Sequence, residues 1–150
     1  MKLTTLTVAA VLTGSAAFAA DTGPADVKFS EDGAVEMSLT GKAGDAAEGR
    51  NVFADRKLGN CLACHVNSEM PEQSFHGEVG PPLDGAADRW TVAELRGIVT
   101  NSRMTFEDTI MPRFYINAGY YRPLEDFDGT SILTAQQVED VVAYLLTLKE

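Results

Sequence analysis

The sequence has little of what several classes of protein require. Its 12 lysines and arginines stand against 22 aspartates and glutamates, a formal net charge of −10, so it lacks the basic face that neutralises nucleic-acid phosphates. It has two cysteines, both within one short motif, which excludes a disulfide framework. Beyond the amino terminus, no apolar run approaches the roughly 20 residues that a membrane span needs. The 150 residues, 45% of them hydrophobic, are typical of one globular domain with a modest core.

The amino terminus has the pattern of a secretory leader. Lys2 supplies a positive charge, residues 3–17 are uncharged and apolar or small, and Ala17-Phe18-Ala19 matches an A-x-A cleavage site. We therefore predict a cleaved signal peptide over residues 1–19 and export to the periplasm. The alternative is a single transmembrane anchor, for which the apolar stretch is too short.

Residues 20–44 form a polar segment interrupted by glycines. Two short runs in it alternate apolar with polar residues, and their apolar members are Val27, Phe29, Val35, Met37 and Leu39. Asp32-Gly33 between the runs is typical of a hairpin turn. We predict an N-terminal β-hairpin or extended arm. Such an element needs a surface to dock on, either its own domain or a partner subunit.

Residues 45–150 carry the signals of a helical domain. Asp45, Thr91 and Thr134 each precede a glutamate or glutamine by three residues, the spacing of a capping box. Apolar residues recur at helical spacing after each start, most regularly in the series Val138, Val141, Val142, Leu145 and Leu148. We predict an all-α domain over residues 45–150.

Cys61-Leu62-Ala63-Cys64-His65 is C-x-x-C-H, the attachment motif of c-type haem. Two intervening residues on a helical turn let both thiols reach the vinyl groups of one porphyrin, and His65 can then bind the iron. The alternatives are a thioredoxin-like redox pair and a zinc site of Cys61, Cys64, His65 and His76. The first lacks a preceding strand and a βαβ pattern, and adjacent Cys64 and His65 chelate one ion poorly.

An iron with one histidine ligand needs a second axial ligand or keeps an open face. Met111 is favoured because it lies far enough along the chain to reach the opposite face, and Pro112 biases it towards extended geometry. Met104 and His76 are alternatives, whereas Met70, five residues after the motif, is too near to round the haem edge. Met111 could instead be a core methionine that fills a gap.

Other residues are candidates to contact His65 or the haem propionates. A carbonyl of the rigid turn Gly80-Pro81-Pro82-Leu83 can accept the free N–H of His65 and fix its orientation; otherwise the turn is an ordinary loop. Candidates to bond the haem propionates, with solvated surface side chains as the alternative for each, are Arg89, Trp90, Arg96 and Arg113.

The order of helix, C-x-x-C-H, Gly-Pro loop, helix, Met-Pro and final helix resembles class I cytochromes c. Gly49 and Phe53 match the glycine and aromatic positions of that family's first helix, and Val141 and Tyr144 match the apolar and aromatic positions of its last. A more specific resemblance is to the SoxX family, the monohaem subunits of sulfur-oxidising SoxAX complexes. It is carried by residues 31–36, 53–65, 77–85, 109–115 and 132–146.

The resemblance implies a class I cytochrome c fold around one covalently bound haem c. Cys61 and Cys64 would hold the haem, and His65 and Met111 would ligate its iron. SoxX proteins are periplasmic partners of the haem subunit SoxA, and the pair oxidatively joins thiosulfate to a cysteine of the carrier SoxYZ. The family places the catalytic site of this L-cysteine S-thiosulfotransferase on SoxA, while SoxX passes electrons to a downstream cytochrome.

The residues themselves show no catalytic constellation. No thiol stays free once haem is attached, and neither a Ser/His/acid set nor paired carboxylates stand out. A His/Met pair fills both axial positions, which suits one-electron transfer, and methionine ligation raises the potential. We expect an electron-transfer subunit without catalytic residues of its own. The alternatives are a free-standing electron shuttle and a haem-based ligand or redox sensor.

Overall fold

The computed structural model describes residues 20–150, and over that range its regular elements are all helical. The α-helices are α1 (Ala46–Ala54), α2 (Ala86–Arg89), α3 (Val92–Asn101) and α4 (Ala135–Leu145). Single 3₁₀ turns cover Cys61–Ala63, Ser102–Met104 and Glu125–Phe127. The predicted all-α class is confirmed. No helix in this part of the chain is long and apolar enough to cross a membrane. The predicted signal peptide, residues 1–19, lies outside the described residues.

All three predicted helix starts are present, with one difference in their caps. Thr91 and Thr134 form complete capping boxes with Glu94 and Gln137. The Asp45 carboxylate accepts hydrogen bonds from the first turn of α1, but no reciprocal bond from Glu48 forms. The backbone N–H of Asp45 donates instead to Asp140 Oδ1 of α4, 2.9 Å away. A contact between helices thus replaces half of the expected box.

Helices α1 and α4 cross closely, as the glycine in α1 predicts. A Cβ on Gly49 would overlap the backbone carbonyl of Asp140, so the two backbones touch where a larger residue would hold them apart. Next to the crossing, the Phe53 and Tyr144 rings pack edge to face with centroids 5.4 Å apart. Phe53, near the end of α1, and Val141 and Leu145 of α4 line the same cavity as the C-x-x-C-H motif.

The N-terminal segment is an extended arm, and the hairpin alternative is wrong. The expected turn exists, since Ser30 N–H donates to Ala34 O at 2.8 Å, but no strand forms on either side of it within residues 20–44. The backbone N–H of Val35 instead donates to Ala93 O of α3, at 2.9 Å. Helix α3 has therefore replaced the second strand as the partner of the arm.

The arm packs on its own domain. Val35 and Leu39 are buried in the core, whereas Met37 is 80% exposed. A buried ion pair between Arg96 of α3 and Glu139 of α4 holds the segment in place. Arg96 Nη1 donates to Val35 O at 2.7 Å, and Glu139 Oε1 accepts the N–H of Leu39 at 2.7 Å. The pair thus satisfies the backbone of the arm as well as its own charges.

Candidate haem site

A largely apolar cavity of about 360 Å³ opens beside the C-x-x-C-H motif. Its wall contains the four residues predicted to hold or ligate haem, namely Cys61, Cys64, His65 and Met111. Much of the remaining wall is apolar and includes Phe53, Leu83, Leu95, Val99, Phe114 and Leu145. The fold therefore brings Met111 to the same cavity as the motif, from which it is distant in sequence.

The motif adopts the helical turn that its spacing predicts. The N–H groups of Cys64 and His65 both donate to Cys61 O, at 3.1 and 3.0 Å. Asn60, just before the turn, has φ 48°, the left-handed region that asparagine tolerates better than most residues. The turn places both cysteine side chains in the cavity wall, as attachment to one porphyrin requires.

The Gly-Pro loop fixes the ring of His65, as predicted. His65 Nδ1 lies 2.7 Å from Pro81 O, and since a carbonyl can only accept, Nδ1 carries the proton. The free electron pair then belongs to Nε2, the nitrogen that can bind a metal. A Cβ on Gly80 would overlap the imidazole ring, so glycine is needed for the loop to lie against it.

The backbone of Met111 is held on both sides by hydroxyl groups. Its N–H donates to Thr109 Oγ1 at 3.1 Å, and its carbonyl accepts from Ser102 Oγ at 3.0 Å. Met111 itself is half-buried. Sequence reasoning missed Ser102 and Thr109, because a lone serine nine residues upstream carries no recognisable motif.

The three residues considered as alternatives to Met111 have other surroundings. Met70 is fully buried in the core, and Met104 is 45% exposed and outside the described wall of the cavity. Both ring nitrogens of His76 have partners, since Nδ1 accepts from Asn67 N–H at 3.2 Å and Nε2 donates to Met70 O at 3.1 Å. His76 therefore has a structural role in holding the loop that follows the motif.

The other interpretations of the cysteines find no support. Cys61 and Cys64 form no disulfide with each other. Burial is the main cause that raises the pKa of the Cys61 thiol, to about 12, whereas a thioredoxin-like nucleophile needs a lowered pKa. Among the described residues, no cluster of three or more His, Cys, Asp or Glu side chains could hold a metal ion. That finding removes the proposed zinc site.

The four side chains considered as propionate contacts have different positions and partners. Trp90 lines the cavity and packs edge-on against Phe106, with centroids 6.0 Å apart. Arg96 is neither a surface side chain nor part of the described cavity wall, because it is buried and paired with Glu139. Arg89 donates to the carbonyls of the Gly-Pro loop, 2.6 Å to Asp84 O and 2.9 Å to Pro82 O. Arg113 lies over the Tyr120 ring, 5.3 Å from its centroid.

Two further features were not expected from the sequence. Arg56 and Lys57 line a neighbouring cavity of about 270 Å³ together with the motif and Met111, and their position just before the motif is the signal that could have found them. Asn67 is fully buried and donates to Tyr144 Oη at 2.8 Å. Burial raises the pKa of Tyr144.

The similarity of this chain to known proteins identifies its family. The family model for cytochrome c matches residues 46–149. The chain belongs to the cytochrome c family. A chain in the crystal structure of SoxXA from P. pantotrophus is 51% identical to this cytochrome, over 87% of this chain and 100% of that chain, with a TM-score of 0.81. This match confirms the resemblance to SoxX.

Ferric cytochrome c-550 from Paracoccus versutus is also similar to this cytochrome, at 21% identity over 71% of this chain and 99% of that chain, with a TM-score of 0.38. No curated protein sequence matches this chain significantly. As a cytochrome c, the chain carries covalently bound haem c. Its site fits that group, because two thiols lie in the wall of one apolar cavity and the His65 tautomer leaves Nε2 free.

Proposed function

We propose that this cytochrome is the electron-transfer subunit of a SoxAX-type complex, which oxidatively conjugates thiosulfate to a cysteine of a carrier protein. The observation that carries the proposal is the 51% identity to a chain of SoxXA that is covered along its whole length. The partners are then a SoxA-like haem subunit, a SoxYZ-like carrier reached through the complex, and a downstream cytochrome that accepts electrons.

Haem c, when bound, supplies a one-electron iron couple at the site. Cys61 and Cys64 would hold it through thioethers, and His65 Nε2 and the Met111 sulfur would bind its iron. Pro81 O fixes the His65 ring at 2.7 Å. Two protein ligands on the iron would leave no position for a substrate and would favour outer-sphere electron transfer, and a methionine ligand would raise the potential.

The location follows from the same relationship. Identity to a chain of SoxXA supports a place in the periplasm, where c-type haem is attached. We propose that residues 1–19 are the cleaved signal peptide that directs this export. The amino-terminal sequence of the mature protein, read from periplasm, should begin at Ala20. An intact Met1 or Lys2 in the periplasmic protein contradicts the cleavage.

Substitution of Met111 tests the sixth ligand. Met111→Ala should open the sixth position, so that the ferrous protein binds carbon monoxide rapidly and the reduction potential falls. Met104→Ala is the matched control, because Met104 is 45% exposed and lies outside the described cavity wall. If the unaltered ferrous protein already binds carbon monoxide as readily as the variant, Met111 is not a ligand. That result would favour a haem-based sensor instead.

Purification tests the complex. A tagged full-length chain, exported and isolated from periplasm of an organism that oxidises thiosulfate, should retain a second haem protein through gel filtration. A tagged periplasmic cytochrome c of another family, expressed at the same level, is the control for non-specific capture. A protein that elutes alone at all concentrations tested would favour the free-standing electron shuttle.

A further inference from the structure

We propose that the hydroxyl groups of Ser102 and Thr109 are positioning elements that hold Met111 at the sixth coordination position. The inference rests on the proposed ligation by Met111 and goes beyond it. It assigns the stability of that bond to two hydroxyl groups that bind no haem atom themselves. The structural basis is the loop that joins the end of α3 to Met111.

The loop over residues 103–110 contains no fully buried residue. Phe106 and Ile110 line the cavity beside the C-x-x-C-H motif, and Phe106 also packs edge-on against Trp90. The hydrogen bonds that fix the Met111 backbone lie at the neck of the loop, where residues 100–102 approach residues 111–115.

The neck is closed by two hydrogen bonds in the described structure. Ser102 Oγ donates to Met111 O at 3.0 Å, and Tyr115 N–H donates to Thr100 O at 3.0 Å. Ser102 is fully buried, so its hydroxyl has no water to exchange with. It sits at the first turn after α3, and its own carbonyl accepts the N–H of Phe106 at 2.9 Å. Ser102 thus fixes both the start of the loop and its end.

Thr109 supplies the second side-chain hydrogen bond to the Met111 backbone. Its Oγ1 accepts the N–H of Met111 at 3.1 Å, so the hydrogen-bonding groups on both sides of the Met111 Cα are engaged. Pro112 follows and fixes its own φ. The two hydroxyls therefore fix the backbone on both sides of the Met111 Cα, from which the side chain extends.

The test is competition between Met111 and added imidazole in the full haem-loaded ferric protein. The reporter is the absorption band that arises from charge transfer between methionine sulfur and ferric iron. Ser102→Ala removes one hydrogen bond, whose net contribution corresponds to about a fivefold change in an equilibrium constant. The imidazole concentration that removes half of the band should therefore fall about fivefold. Ser102→Thr, which keeps the hydroxyl, should recover part of the loss.

Thr100→Val is the matched control. Thr100 is also fully buried at the neck, but its Oγ1 has no hydrogen-bond partner in the described structure, and valine has nearly the same shape. Its imidazole midpoint should stay within twofold of that of the unaltered protein. A Ser102→Ala midpoint equal to that of Thr100→Val would overturn the inference.

Met111→Ala and Thr109→Val distinguish a wrong ligand from a variant that fails to fold. If the unaltered protein lacks the band that Met111→Ala should abolish, the ligation itself is wrong and the inference falls with it. If Ser102→Ala fails to fold with haem, Thr109→Val carries the test, since Thr109 is partly exposed. It should also lower the imidazole midpoint several-fold, and an unchanged midpoint would overturn the inference.

Discussion

Removal of the Glu139 carboxylate should be one of the most destabilising single changes in this cytochrome. The side chains of Glu139 and Arg96 are 5% and 8% exposed. The carboxylate accepts two bonds from the guanidinium, at 2.9 and 3.2 Å, and one from the N–H of Leu39 at 2.7 Å. Glu139→Ala leaves a buried positive charge and a buried N–H without their acceptor.

Loss of one partner of a buried ion pair costs about 3–5 kcal/mol. The free energy of unfolding, measured by urea titration of the haem-loaded protein with circular dichroism, should fall by about that amount. Glu72→Ala is the control, since it breaks the Arg50–Glu72 pair at 2.7 Å, whose side chains are 39% and 50% exposed. An exposed pair contributes at most about 1 kcal/mol.

A fall of less than about 0.5 kcal/mol for Glu139→Ala, no larger than for an ordinary surface change, would refute the reasoning. The double variant Arg96→Met with Glu139→Leu separates charge from packing. Replacement of a buried pair by apolar residues of similar size is often close to neutral. The double variant should therefore be more stable than Glu139→Ala, although the arm still loses its backbone bonds at Val35, Glu36 and Leu39.

Three more predictions concern single residues. Gly49→Ala should lower the free energy of unfolding by about 1–3 kcal/mol, because its Cβ would overlap the Asp140 carbonyl; urea titration checks this, and an unchanged free energy of unfolding would contradict the close crossing of α1 and α4. Gly80→Ala should displace the His65 ring and reduce haem incorporation, measured as haem absorbance per polypeptide. Hydrogen bonding to Thr91 lowers the pKa of Glu94, so its stabilising effect is present above the unfolded carboxyl pKa and disappears as pH falls through the lower folded value. Glu94→Gln should remove that part of the acid dependence of thermal unfolding.

Much of the site could be predicted because its chemistry is local. C-x-x-C-H specifies haem attachment by the spacing of Cys61, Cys64 and His65, and a proline-rich loop predicts a carbonyl for the histidine. The helix starts are likewise local, since capping depends on side chains three residues apart. Met111 could be favoured as the second iron ligand from its distance along the chain and the following proline, and the structure places it in the cavity wall.

The contacts that escaped prediction join residues far apart in the chain. The alternation of Val35 and Leu39 indicates one buried face, but it cannot show whether a strand or a helix covers that face. Arg96 has no local signal for a partner in α4, and the choice of Glu139 depends on the packing of α3 against that helix. Ser102 is similar, because its hydroxyl acquires a function only when the loop to Met111 closes.

Reduction of the haem by thiosulfate tests the central claim most directly. The oxidised full-length cytochrome is mixed with thiosulfate, a SoxA-like haem subunit and a cysteine-bearing carrier, and the ferrous spectrum is followed with time. Mixtures that omit one component, and a carrier with its cysteine replaced by serine, are the controls. The account predicts rapid reduction in the complete mixture and little in any other. Reduction that is equally fast without the haem subunit or the carrier cysteine would contradict a role as the electron outlet of the complex.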